Sequence, residues 1–186
     1  MISALSFHFP LTMKPILAIL PVAAALLCAS CGVSTDYVEA SAPTAPYQVA
    51  VVKGFTYKEE EPNSADEALS KEFASVLSEE LRNGKKFSQV TSGSYSGRAV
   101  RIEGDVTYLE QGNSALRIGV GFGTGKSHFS CTARFVDNTT GKLLGTLEVE
   151  RSSKQGMMGI ADNFPVIRRS AAFDVAEKAA DFAVAH

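Results

Sequence analysis

The sequence predicts an α/β (α+β) domain, a mixed and largely antiparallel sheet of about five strands covered by two helices. Three observations predict it. A nearly continuous apolar run of strand length leads directly into a strongly amphipathic helical segment. Three later segments alternate apolar and polar residues, the signature of half-buried strands. The chain then closes on an Ala-rich stretch with helical spacing. Strand, helix, several antiparallel strands and a last helix make one layer of sheet with helices packed on it.

Taken in order, the folded part opens with the run Tyr47 to Phe55 (YQVAVVKGF). Continuous rather than alternating hydrophobicity marks a strand covered on both faces or lying in mid-sheet. An acidic loop follows, Glu59-Glu60-Glu61-Pro62-Asn63, and Ser64 with Glu67 forms a capping-box pair at a helix start. Leu69, Phe73, Val76, Leu77 and Leu81 recur on one helical face. Asn83-Gly84 ends that helix, with Lys85 and Lys86 near its negative pole. Phe87 to Thr91 is a short strand, followed by the Gly/Ser turn Ser92 to Gly97. From Val100 the alternation is clear, with Val100, Ile102, Gly104, Val106 and Tyr108 on one face and Arg101, Glu103, Asp105 and Thr107 on the other. Phe129, Cys131, Ala133 and Phe135 alternate with His128, Ser130, Thr132 and Arg134. Asp137 to Gly141 is a hairpin loop, and the return strand Leu143 to Glu150 turns Leu143, Gly145, Leu147 and Val149 inward. After a loop to Asn163 containing the Met157-Met158 pair, Pro165 sits near a helix start. Ala172, Val175, Ala176, Ala179, Phe182 and Ala183 then give a thin apolar face.

Ahead of this domain lies a segment of a different kind. Lys14, an apolar run from Ile16 to Leu27, and then Ala29-Ser30-Cys31-Gly32 have the layout of a secretory signal peptide, too short to span a bilayer comfortably. Small residues just before a cysteine resemble the lipobox of bacterial lipoproteins. That resemblance implies cleavage before Cys31 and acylation of its sulfur and new amino group. The usual Leu three places before the cysteine is here Cys28, and Leu27 stands one place too early. Met13 is a better opening for such a peptide than Met1, because Phe7, Phe9 and Pro10 fit it poorly. The organisation expected is therefore a signal peptide over 1–30, a lipidated cysteine and flexible tether over 31–46, and the α/β domain over 47–186. A tether of about 15 residues, at roughly 5–6 Å × √n, holds the domain about 20 Å from its anchor.

Composition narrows the function. The chain has 186 residues, is 45% hydrophobic and carries a formal charge of −2, and the leader holds only Lys14 of its charges. A mildly acidic, mixed-sign surface lacks the basic excess that phosphate neutralisation requires, so nucleic acid is excluded as a partner. Of three cysteines, Cys28 would be discarded and Cys31 acylated, leaving Cys131 without a disulfide partner. Its place on an apolar strand face makes it a small core residue rather than a nucleophile.

The chemistry-bearing motifs are weak. Gly119-Val-Gly121-Phe-Gly123-Thr-Gly125-Lys126-Ser127 ends like a phosphate-binding loop, but its required first glycine is Val120 and a strand pattern follows it. The dinucleotide pattern also fails, with Thr124 or Lys126 at its last glycine. The period-two glycines read as a glycine-rich loop, a hairpin edge or a self-association surface. His128 and Ser130 share a strand face with no acidic orienter evident, so a solvated face is the better reading. His, Cys and carboxylate ligands do not cluster at metal spacing, and no cofactor is expected. Asn138-Thr139-Thr140 is turn chemistry. The expectation is a protein that is not an enzyme.

Arg101 to Val106, Leu116 to Ser127 and Ala133 to Gly145, in that order, resemble a bacterial family, the domain of unknown function numbered 4410, found in predicted lipoproteins. The resemblance takes in most of Tyr47 to His186 and implies no reaction, cofactor or catalytic residue. The order of elements is also similar to periplasmic domains of the curli-secretion lipoprotein and of lipoprotein activators of penicillin-binding proteins, an analogy of fold alone. The expectation that follows is a cell-envelope lipoprotein with no active site to carry over. Its domain binds or scaffolds an unidentified envelope protein while a lipid anchor at Cys31 holds it to the membrane. Gly32 lacks the Asp that commonly retains lipoproteins at the inner membrane, which implies the periplasmic face of the outer membrane. The alternatives are a homo-oligomeric secretion or pore component and an envelope hydrolase using His128 and Ser130.

Overall fold

The computed structural model describes residues 33–58, 64–111, 127–153 and 164–183. They form β1 (Val33–Glu39), β2 (Val49–Tyr57), α1 (Ser64–Gly84), β3 (Gln89–Ser92), β4 (Val100–Glu110), β5 (His128–Asp137), β6 (Leu143–Ser152) and α2 (Phe164–Ala180), closed by a 3-10 turn at Asp181–Ala183. The sheet runs β1-β6-β5-β4-β2-β3, six strands where about five were expected. β2 is parallel to both β3 and β4, and the remaining pairs are antiparallel. The α+β architecture is thus as the sequence pattern predicts.

The extra strand is β1, which lies in the stretch expected to be a flexible tether. It pairs with β6 from Val33↔Arg151 to Glu39↔Gly145. Beyond it, the amides of Ala40 and Ser41 both donate to the Leu144 carbonyl, and Arg98 donates to the carbonyls of Ala45 and Pro46. The segment between β1 and β2 is therefore also tied to the domain. Tyr37 seats the strand: its ring lies over Gly145, where a Cβ would collide with it, and the Lys178 ammonium sits 3.7 Å from the ring centroid.

Both helices contribute to one core with a single face of the sheet. Phe73 of α1, wholly buried, meets Phe55 edge-on at 4.8 Å and Phe129 at 4.9 Å, and Phe129 reaches Phe164 of α2 at 6.1 Å. The continuous run in β2 is explained by cover on both sides. Ala50, Val52, Phe55 and Tyr57 enter the main core, while Val49 and Val51 pack with Ala99 and Tyr95 on the other face.

Three irregularities correct the expected facing. A register shift between Val52 and Phe55 keeps Phe55 on the helix side of β2. A second, between Val106 and Tyr108, turns Tyr108 outward to 46% exposure and brings Leu109 toward the core. A third sits opposite Phe135 and Val136, so Leu144 is buried and Leu143 exposed, the reverse of strict alternation. α1 ends at Gly84 as expected, but the positive φ of its C-terminal cap falls on Lys85 (54°).

The hairpin between β5 and β6 bears out the turn reading of Asn138-Thr139-Thr140. Asp137 accepts the amides of Thr139 and Thr140 (2.9 and 2.8 Å) and the Tyr47 hydroxyl (2.6 Å). Burial alone would raise the Asp137 pKa, but these donors hold it below the usual carboxylate range. Burial and the same hydroxyl–carboxylate bond push Tyr47 up to about 12. The Asn138 side-chain amide donates to the carbonyls of Tyr95 and Gly97 (2.7 and 3.1 Å).

At Gly104 it is backbone, and not only a ring, that leaves no room for a side chain. A Cβ there would run into the Thr132 carbonyl oxygen and lie 2.6 Å from the Phe55 ring. Gly104→Ala is expected to destabilise the domain by about 1–3 kcal/mol in urea unfolding, and an unchanged midpoint would contradict this packing.

Candidate functional site

Two adjacent arginines near the start of α2 clamp it to α1. Arg168 donates to both carboxylate oxygens of Glu72 at 2.7 and 2.8 Å, while Arg169 reaches Glu79 and Glu80 at 2.9 and 2.6 Å. A cleft lies between the later turns of the two helices. The C-terminal turn of α1, the connection to β3, and the outer face of α2 enclose a cleft of about 300 Å³. Its floor is Leu81, Phe87 and Ala176, and its rim carries Lys86 and Glu177. Phe173 stands at its edge with 54% of its surface exposed. Val166, one heptad earlier on the same helix, is 47% exposed. A large aromatic in water beside an apolar depression leaves surface that a partner would bury.

The residues named from the sequence fall elsewhere. Cys31, Gly119 to Gly125, Met157, Met158, His186 and the acidic loop Glu59 to Glu61 lie outside the described residues. Cys131 is 1% exposed, and burial, with the Asp174 charge adding to it, pushes its thiol pKa up, so it is a core residue. His128 and Ser130 are brought together, with Nε2 and Oγ 3.1 Å apart. An acid absent from the sequence reading joins them, because β6 places Glu150 opposite Ser130. Its Oε1 lies 3.2 Å from the same Nε2. A proton relay needs the acid on one ring nitrogen and the hydroxyl on the other. Here both contacts converge on one nitrogen, and the Tyr108 ring packs edge-on against the imidazole at 4.8 Å.

The rest of that outer sheet face is ionic and internally paired. Arg134 Nη1 donates to Asp105 at 2.8 Å, Thr56 adds a 3.3 Å bond, and Lys58 lies 3.6 Å away. Burial would raise the Asp105 pKa, but Arg134 above all, with Lys58 and Thr56, holds it below the ordinary carboxylate value. Among the described residues no group of three or more His, Cys, Asp or Glu is placed to hold a metal ion. No described helix is long and apolar enough to cross a membrane. The cleft was missed because Phe173 lies off the apolar stripe. A lone aromatic on the solvent side of a helical pattern was the available signal.

Fold and cleft together define a small mixed-sheet domain with one helical layer and an apolar cleft between its two helices. The chain belongs to the family described as Domain of unknown function (DUF4410), whose model matches residues 37–156. A search of curated proteins returns no match. Among solved structures, a singly substituted PelC dodecamer from Paraburkholderia phytofirmans is 15% identical, with 76% of this chain and 94% of that one covered at a TM-score of 0.54. A second PelC dodecamer from the same organism is 14% identical over 77% and 94% of the two chains, with a TM-score of 0.54. A Xanthomonas campestris protein assigned to the DUF330 family is 12% identical over 75% and 87%, with a TM-score of 0.44. The PelC likeness is one of fold.

If the cleft's edge is surface for contact rather than core, its two phenylalanines respond differently to truncation. Phe173→Ala is expected to change unfolding free energy by no more than about 0.5 kcal/mol. Phe87→Ala, at a site 8% exposed, should cost about 3 kcal/mol or more. Equal losses in chemical denaturation would return Phe173 to the core.

Proposed function

We propose that this protein is a lipid-anchored cell-envelope protein, moored through Cys31, whose domain works as a binding or scaffolding module rather than as an enzyme. Its partner at the α1–α2 cleft is another copy of the chain, and its place is the periplasmic face of the outer membrane. The observation that carries the contact reading is Phe173, half in water over an apolar cleft. Residues on the opposite sheet face pair among themselves, as Arg134 does with Asp105 and Arg101 with Glu103. That leaves the helical layer as the place where burial gains most. A fold shared with a protein whose structures are dodecamers supports assembly of like subunits. The lipobox-like ending of the leader supports the anchor, and acyl chains on one residue suffice to hold a domain at a bilayer when more than one is present.

A hydrolase built on His128 and Ser130 finds no support in contacts that share one nitrogen. The oligomeric secretion component is the second reading, favoured by the same dodecameric relative, and it differs from the first only in what the assembly does.

Two measurements test the proposal. Light scattering of the purified protein should show an assembly that Phe173→Glu reduces to monomers, since a carboxylate buried in an apolar contact is strongly disfavoured. A wild-type chain that stays monomeric at all concentrations overturns the self-contact. Intact-mass analysis from cells should find a chain beginning at an acylated Cys31, sensitive to globomycin. An unmodified sulfur overturns the anchor.

A further inference from the structure

A second cleft lies on the opposite side of α1, and its chemistry differs from the first. β3 stops at Ser92 while β2 continues past it through the irregularity at Lys53 and Gly54. α1 roofs the resulting step, enclosing about 320 Å³. From the helix come Ser75, Ser78 and Arg82, from β2 come Lys53 and Gly54, and from the end of β3 comes Ser92. Among the described residues no carboxylate lines it. In a chain whose formal charge is −2, a pocket whose described lining has two cations and no acid is a local reversal of sign.

Arg82 is the informative residue. Every other described arginine is committed: Arg101 to Glu103, Arg134 to Asp105, Arg151 to Asp174, Arg168 to Glu72, and Arg169 to Glu79 and Glu80. Arg98 donates to backbone carbonyls. Arg82 has no such acceptor among the described residues. Lys53, by contrast, is positioned, because its ammonium donates to the Gly93 carbonyl and so is held at the cleft with further N–H groups free. Gly93 has a φ of 92° and Gly54 has open space where a Cβ would stand, so backbone approaches the cleft without side chains in the way.

We propose that this cleft binds a phosphate group. A guanidinium fork from one wall and an ammonium from the other approach an oxyanion from two directions, and the Ser75 and Ser92 hydroxyls supply neutral donors, the Ser78 hydroxyl being spent on the Ala74 carbonyl. A tetrahedral oxyanion has acceptors for all of these at once, whereas a planar carboxylate presents fewer. The cleft is larger than a bare phosphate and open to solvent, so the group can arrive as an ester. The phosphate of a soluble monoester and the phosphodiester of a lipid headgroup share this chemistry.

The test uses the full chain in a non-ionic detergent with three soluble probes: inorganic phosphate, glycerol 3-phosphate and glycerophosphoglycerol, the last being a phospholipid headgroup without its acyl chains. Titration followed by amide NMR and calorimetry should show saturable binding that shifts the Gly54 and Gly93 amides and weakens with salt. Arg82→Gln should weaken it about tenfold or more, with Arg82→Lys recovering part of the loss. Phe173→Glu should leave it unchanged, which separates this site from the contact surface proposed above. Preference for glycerol 3-phosphate assigns a soluble ligand, and preference for glycerophosphoglycerol assigns a lipid headgroup. Absence of saturable binding to all three probes, or equal binding by Arg82→Gln, overturns the proposal. Arg82 is exposed on the helix surface, and glutamine is a good helix former, so the variant is expected to fold.

Discussion

The placement of Phe73 between Phe55 and Phe129 is the contact on which the remaining architecture depends. It brings α1, the parallel strand β2 and the antiparallel strand β5 to a single point, with ring centroids 4.8 and 4.9 Å apart. For Phe55 to be there, β2 must break its alternation after Val52, and β4 must offer Gly104 rather than a side chain beneath the ring. One aromatic contact thus accounts for a bulge in one strand and a glycine in its neighbour. This ring holds α1 at its middle, and both clefts lie along its second half.

Most of this fold is legible wherever burial is one-sided and periodic. α1 from Ser64 to Gly84, the alternation of β4 and β5 and the Asp137 turn all follow from residue spacing. What spacing cannot register is a one-residue insertion. Tyr108 and Leu143 both fall on the expected parity, and both face water because a bulge lies between them and the pattern that predicted them. β1 escaped for a different reason. It is an edge strand whose attachment rests on Tyr37 over Gly145 and on backbone pairing, and neither leaves an apolar period in the sequence. Nor could Glu150 be connected to His128 without the β5–β6 register.

The division of labour between the two sheet faces follows from the same one-sided layering. With both helices on one side, the other side of β4, β5 and β6 must be stable in water without cover. It achieves this by pairs of charge, Arg134 with Asp105 across strands and Arg101 with Glu103 along β4, whose net effect on stability is small but which leave little apolar area exposed. The helix layer does the opposite. Its Arg168 and Arg169 are spent in clamps between α1 and α2, and large apolar side chains stand exposed at Val166 and at Phe173 beside the cleft.

The last turns of α1 therefore separate two environments that have nothing chemically in common. Leu81, 2% exposed, turns toward α2 and the apolar cleft, while Arg82, the next residue, turns toward β3 and the cationic one. A helix turns about 100° per residue, so adjacent residues supply different walls without any distortion of the backbone. The helix is fixed in rotation by Leu81 in the core and by the grip of Arg169 on Glu79 and Glu80. A rotation that improved one cleft would pull a buried leucine out of the other. The two surfaces are consequently set by a single packing decision, and either can be altered by a surface substitution that leaves the other in place.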